Sequence, residues 1–466
     1  MRKSGFNFLA LLLISALLVC CASGGSPKAQ HEKTITIGAK LQLTAASLAE
    51  ATGTITWSSS NSNVASVDQN GVVTALAFTE TAIGRGRAVI TASAGGRSES
   101  FNITTTMEGE VNMMELPPMK DQFSEYFAFG NIFNPGDTGG GKITNERLTR
   151  HFNFLTAEND MKPDKINPSR GTYNYTTADR MVNAAIESGF KVVGHTLLWH
   201  SQIPSWQAAL RTDSTSPEDT LRYMKEYITA VMTHFRGRIH TWDVINEIFP
   251  DGGYNASSDW KDVMRKDANG NPWYMKIGSD VVYEAFLAAR LADPQSILYY
   301  NDFNLDQRNK ATMVRDMVRD VNARYKQAFP RETRLLIEGI GMQSHHNTGV
   351  PALRIRNSLA MFRELGVRIS ISELDVLSQT WGEFSPNRNT PTFNGKLMAA
   401  NLYGEYFGVF LENADIIERV TFWGVFDEQS WRRTALPLIF EGRSQSFAKP
   451  AYYRIMAALE NHRNRS

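Results

Sequence analysis

From about residue 117 the chain alternates between short apolar runs and amphipathic stretches of helical period, and it does so eight times. The runs read "YFAFGNIF", "HFNFLTAEN", "KVVGHTLLWH", "RIHTWDVINE", "SILYYND", "RLLIEGIGMQSHH", "RISISELDV" and "RVTFWGVFD". Between them lie stretches such as "TADRMVNAAIESG", "LRYMKEYITAVMTHF" and "ATMVRDMVRDVNARYKQA", with apolar residues every three or four positions. Parallel strands buried on both faces read as such runs, and each needs a crossover to reach the next. Eight units over about 350 residues predict a (β/α)8 (TIM) barrel. An open doubly wound sheet would want a Gly-rich phosphate turn after an early strand, and none is present.

The runs share a second property. Nearly all of them begin apolar and end in groups able to bind or react. Run two ends in Glu158 and Asn159, with Lys162 just beyond; run three carries His195 and ends at Trp199 and His200. Run four ends in Asn246 and Glu247, five in Asn301 and Asp302, six in Gln343, His345 and His346. Run seven carries Glu373 and Asp375, run eight Trp423, and Trp431 follows in the last loop. A carboxylate is among the groups least often buried unpaired, so any one of these residues alone would be read as a satisfied packing residue. In a barrel, however, the carboxyl ends of all the strands form one rim, where active sites occur. Packing does not explain seven strands in succession aiming hydrogen-bonding groups at one rim.

The set holds no Ser–His nucleophile pair and no phosphate loop. A metal is conceivable from His345, His346 and Asp375, but no HExxH or cysteine spacing supports it, and no cofactor is expected. Two glutamates on separate strands, Glu247 and Glu373, stand among amides, histidines, a lysine and tryptophans. Paired carboxylates are the apparatus of glycoside hydrolysis. Amides and cations can serve sugar hydroxyls, and indole faces suit the C–H face of a sugar ring.

The segments "TAENDMKP", "VVGHTLLWHSQIPSW", "WDVINE", "LYYNDFN", "GIGMQSHH", "ISELDV" and "FWGVFDEQSWR" resemble, in order and spacing, the motifs of glycoside hydrolase family 10, the endo-β-1,4-xylanases. The resemblance implies retaining endo-hydrolysis of β-1,4-xylosidic bonds in xylan by a double displacement, with Glu247 as acid/base and Glu373 as nucleophile. It further implies that Glu158, Asn159 and Lys162 bind sugars on the non-reducing side of the cut. His195, Trp199, Asn246, Gln343, His345, Trp423 and Trp431 would line the central subsite, with His345 bridging Glu373 and Asp375. "NEIF" departs from the family's commoner "NEA", and long loops at residues 249–280 and 378–395 leave the leaving-group side open. A rival reading is a non-catalytic glycan-binding lipoprotein, whose mark would be loss of Glu247 or Glu373; another is cleavage of cellulose or mixed-linkage glucan. In the family, tryptophans over the central subsite leave poor room for glucose's hydroxymethyl arm, so Trp423 and Trp431 favour xylan.

Ahead of the barrel the vocabulary changes. Residues 34–106 are rich in Thr, Ser, Val and Ala, with alternating runs punctuated by Asn70-Gly71 and Gly95-Gly96, which predicts a small all-β sandwich. "ITWSSSNSNVASVDQNGVVTAL" resembles the bacterial Ig-like domain of group 2. Its lack of an ionisable cluster predicts a spacer or docking module, joined to the barrel (residues 117–466) by a linker at 107–116. At the N-terminus Arg2 and Lys3 precede an apolar stretch too short for a membrane span but suited to a secretory signal. It ends in "LLVCCAS", which holds the chain's only two cysteines, so no disulfide framework is available. The string resembles a bacterial lipobox with Cys21 as the lipidated residue. Residues 1–21 then form the signal, 22–33 a tether, and the expected location is the cell envelope or surface; an ordinary cleaved signal would instead mean secretion. The 49 basic and 48 acidic residues balance, which excludes an electrostatic pull toward nucleic acid and leaves membrane contact to the anchor. A monomer acting on xylan or xylo-oligosaccharides is expected.

Overall fold

The computed structural model describes residues 31–76, 86–266, 270–386 and 391–465. The lipobox with Cys21 and nearly all of the tether lie outside the described residues.

Eight parallel strands close into a barrel: Ala128–Phe133, Phe154–Ala157, Lys191–Leu198, Thr241–Asn246, Ile297–Asp302, Gly339–Met342, Arg368–Leu377 and Ile417–Phe422, with the eighth paired to the first. All eight coincide with the runs expected from the sequence. The second, fourth, fifth and sixth are buried at every position, as strands covered on both faces must be. A short added strand, His345–Asn347, pairs with the upper half of strand seven and matches His345 to Asp375.

The outer helices follow from local chemistry. Pro217–His234 begins where Ser216 Oγ accepts from the Asp219 amide at 3.1 Å, with Pro217 at the first helical position and Glu218 and Asp219 in the first turn. Its Met224, Tyr227, Ile228 and Val231 recur on one face, all buried against the barrel. Two further outer helices, Phe393–Glu412 and Pro450–Arg463, pack against each other and complete the ring. Phe407 of the first stacks on Phe129 of strand one and Phe422 of strand eight.

Ahead of the barrel, two small sheets form the Ig-like domain. In one, His31–Thr36 runs parallel to Arg97–Thr106, which pairs with Gly86–Ala94 and through it with Thr56–Ser59; in the other, Val72–Ala75 lies between Lys40–Gln42 and Ala65–Val67. Ile35, Val73, Ile90, Phe101 and Ile103 fill the space between them. The first strand starts at His31, three residues inside the expected tether.

Residues 107–116, expected as a linker, are packed rather than free. Met113 is fully buried in the barrel's main core; its amide donates to Ser446 O at 2.7 Å, and its carbonyl lies 2.8 Å from His151 Nε2. The Gly109 amide donates to Glu441 at 2.6 Å. On the Ig-like domain, a Cβ at Gly38 would come within 2.7 Å of Tyr453 of the last helix, and Lys40 pairs with Glu460 at 3.2 Å.

Candidate active site

Strand ends converge on a cleft of about 650 Å³. Glu158, Asn159, Lys162, His195, Trp199, Asn246, Glu247, Gln343, His345, Glu373, Trp423 and Trp431 all line it. Asp375 lies just behind, fully buried. A neighbouring groove of about 790 Å³, lined in part by Asp306, Lys310 and Arg354, meets the cleft at Asp251.

Glu373 projects from strand seven and is 5% exposed. Asn301 Nδ2 donates to its Oε1 at 2.8 Å, and His345 Nε2 lies 3.1 Å from its Oε2. The Asn301 amide oxygen accepts from Ser372 Oγ at 2.6 Å, which fixes the amide's orientation. Gly341 on strand six makes room for it, since a Cβ there would come within 2.1 Å of that oxygen. His345 Nδ1 lies 2.8 Å from Asp375 Oδ2. With a carboxylate oxygen at each ring nitrogen, the imidazole satisfies both only by carrying both protons. Burial disfavours that charge, but Asp375 and the hydrogen bonds to Asp375 and Glu373 outweigh burial and raise the His345 pKa. Burial likewise works to raise Glu373, but the hydrogen bond from His345, the neighbouring His195 and His345 rings and the Asn301 amide hold its carboxyl below the ordinary value. Asp375 is also held low against burial, by His345, Arg432 and a 3.1 Å bond from Trp431 Nε1.

Glu247 is differently placed. Its side chain is 13% exposed against 6% for Glu373. Trp199 Nε1 donates to Oε2 at 2.9 Å and Gln343 Nε2 to Oε1 at 2.8 Å. The Asn246 amide lies between Asn301 and Gln343 on one side and Trp199 and Glu247 on the other. It thereby links the surroundings of the two glutamates. Farther along, Lys162 Nζ donates to Asn159 and Gln202, and Glu158 accepts from Asn134 Nδ2 at 2.7 Å. Burial lowers the Lys162 pKa against the pull of Glu373, Glu158 and Glu247.

The backbone is shaped at the same rim. Gln202, Glu247, Asn304 and Ser344 adopt positive φ of 46° to 60°, a region non-glycine residues seldom occupy; among the described residues only Leu436 joins them. His346, weighed as a metal ligand beside His345, turns away: it is buried edge-on to Tyr406, 4.0 Å from Asp306.

Residues 118–458 match the model of Glycosyl hydrolase family 10. The chain belongs to this family. Residues 28–97 match the Bacterial Ig-like domain (group 2). Among family 10 relatives, an endo-1,4-beta-xylanase of Geobacillus stearothermophilus is 32% identical over 350 residues, 73% of this chain and 98% of that protein. An endo-1,4-beta-xylanase A of Thermotoga maritima is 32% identical over 76% of this chain, and an exoglucanase of Acetivibrio thermocellus 33% identical over 73%. The chain spans about a third of the length of these last two, 32% and 29%. A crystal structure of an Ig-like-domain-containing family 10 xylanase from termite gut superposes with TM-score 0.87 at 48% identity, covering 93% of this chain and all of that one. A xylanase of Thermoanaerobacterium saccharolyticum solved with xylotetraose gives 0.61 at 31% identity, over 73% and 98%.

Several cleft residues escaped the sequence reading: Gln202, Asp251, Phe303, Asn304, Trp381 and Arg432 line it, and Asn301 was noted only as a strand-end group. Only Asn301 is on a barrel strand; the rest are in loops, where no periodicity fixes direction. Arg432 carried one signal, its place next to Trp431.

Proposed function

We propose that this chain hydrolyses internal β-1,4-xylosidic bonds of xylan with retention of configuration, as a monomer. Glu373 attacks the anomeric carbon while Glu247 protonates the departing oxygen. Glu247 then takes a proton from the water that releases the glycosyl-enzyme. The observation carrying this reading is the contrast between the two glutamates. Glu373 is buried and faces the doubly protonated His345 and the Asn301 amide, so it stays ionised as an attacking group must. Glu247 instead accepts from the neutral donors Trp199 and Gln343, and is open enough to meet both a leaving oxygen and a water. Glycosylation of Glu373 removes its negative charge from the cleft, so one residue, Glu247, serves in turn as acid and base.

The xylan assignment draws on relatives named as endo-xylanases and on the xylotetraose-bound neighbour. Glu158, Asn159 and Lys162 then hold sugars on the non-reducing side. A glucan-cleaving reading gains weight from the relative named an exoglucanase and from a celloxylanase of Thermoclostridium stercorarium, 31% identical over 77% of this chain. Hydrolysis of xylan, arabinoxylan and carboxymethylcellulose, with the first-formed anomer followed by NMR, separates them. Xylo-oligosaccharides with a β anomer first are expected; faster release from carboxymethylcellulose, or an α anomer first, overturns the reading.

We further propose that Cys21 is acylated after export and holds the enzyme at the cell envelope. Cys21→Ser should move it from the membrane fraction to the soluble one. Unchanged membrane association with Cys20 also replaced would refute the anchor.

A further inference from the structure

On the strand-seven side of the cleft, two indoles enclose a guanidinium that the reaction described above does not use. The Arg432 guanidinium carbon lies 4.3 Å from the ring centroid of Trp381 and 3.9 Å from that of Trp431. Arg432 is 6% exposed, and its Nη1 reaches Asp375 Oδ1 at 3.3 Å. Burying a guanidinium costs free energy unless it is paired. Here Asp375 supplies the charge, and the two π faces supply the rest of a planar slot that suits arginine and not lysine.

The consequence falls on Trp381. Its loop is stitched down: Thr380 N and Oγ1 each lie 2.8 Å from Glu383 Oε2, and the Phe384 ring meets Trp381 edge-on at 5.8 Å. Yet Trp381 remains 44% exposed, and it lines the same cleft as the more deeply buried Trp423. A large ring that is fixed in orientation and still open to the cleft fits a flat apolar partner, and the C–H face of a pyranose is one.

We propose that Trp381 is a stacking platform for a sugar residue outside the central position, and that Arg432 is the positioning residue that sets its plane. This rests on the reading of the cleft as a xylan site. It makes turnover depend on chain length, because only a longer substrate reaches Trp381.

The test compares kcat/KM on xylotriose and xylohexaose for the full chain and for Trp381→Ala, Trp381→Phe and Arg432→Lys. The wild type prefers xylohexaose. Trp381→Ala reduces that preference roughly tenfold, mainly through KM, and Trp381→Phe restores most of it. Arg432→Lys keeps the charge beside Asp375 but loses the planar stack, so it also loses length preference. Equal losses on both substrates with Trp381→Ala, or no loss, overturn the platform. Full length preference in Arg432→Lys overturns the positioning role. A wild type that cleaves neither oligosaccharide overturns the xylan reading and this assignment with it, whereas an active wild type isolates the platform.

Discussion

His345 Nε2 stands 3.1 Å from Glu373 Oε2, at the end of a ring whose other nitrogen is held by Asp375. The protonated ring lowers the energy of the Glu373 carboxylate. Replacing it by His345→Asn removes a charge and a hydrogen bond, so the Glu373 pKa rises. The acid limb of the kcat/KM profile should move upward by roughly one pH unit. Asp375→Asn weakens the ring's own charge and should move the limb the same way. A profile that merely drops in height, with its acid limb unmoved, would show that His345 acts by packing alone.

The two glutamates should part company under mutation. Glu373→Ala should leave no measurable turnover on any glycoside. Glu247→Ala should lose about 10²–10⁴-fold on xylan, which needs a proton donor. It should still form the glycosyl-enzyme from an aryl xylobioside whose leaving group needs little protonation. Azide should then speed that intermediate's breakdown and give a β-glycosyl azide, detectable by NMR. An α-glycosyl azide from Glu247→Ala and a β-glycosyl azide from Glu373→Ala instead would reverse the two roles.

Far from the cleft, Glu418 near the start of strand eight accepts from Tyr299 Oη at 2.7 Å and faces Arg419, His240 and Arg368 at 2.9, 3.2 and 3.3 Å. Burial opposes its charge, but these partners win and bring its pKa from 4.5 to about 2. A depressed carboxylate contributes stability that is complete above pH 4.5 and is lost as pH falls toward 2. The shift corresponds to about 3 kcal/mol. Glu418→Gln also leaves Arg419, 1% exposed, without its partner. Urea unfolding should find it less stable by about 3 kcal/mol at neutral pH, with a flatter acid dependence than the wild type. An equal slope in both would assign the acid sensitivity to other groups.

Removing the Ig-like domain should spare the chemistry only if the cut respects the packed segment. A chain starting at Met107 keeps Met113 in the core and should retain turnover on soluble xylan within a few-fold. One starting at residue 117 loses that side chain and its bonds to Ser446 and His151, and should melt well below the first. Met113→Ala in the full chain should cost about 2–5 kcal/mol. Equal melting temperatures for the two shortened chains would show that the segment only covers the surface.

Much of this was legible because a parallel barrel writes itself plainly. Strands buried on both faces become unbroken apolar runs, and the rim collects whatever ends them, so Glu247 and Glu373 stood out before any geometry was known. The segment at 107–116 was not legible, because Glu108, Gly109, Glu110 and Glu115 interrupt its apolar residues and Pro117 and Pro118 follow, so that it reads as a linker. Trp381 was hidden for a related reason: a loop has no period, and what makes the residue matter is an arginine 51 positions later, brought against it only by closure of the barrel.

The contact of Gly38 and Lys40 with the last helix bears on how the molecule is made. Lys40 and Glu460 are 420 residues apart in sequence. At roughly 5–20 residues per second, the ribosome needs about 20–80 seconds to deliver the second after the first. Throughout that interval the Ig-like fold presents a bare edge with no helix to receive. The barrel, whose eighth strand must pair with its first, is unclosed for most of the same time. The helix Pro450–Arg463 therefore completes two structures at once, and removing it would take the partner of Gly38 and Lys40 away together with part of the barrel's outer ring.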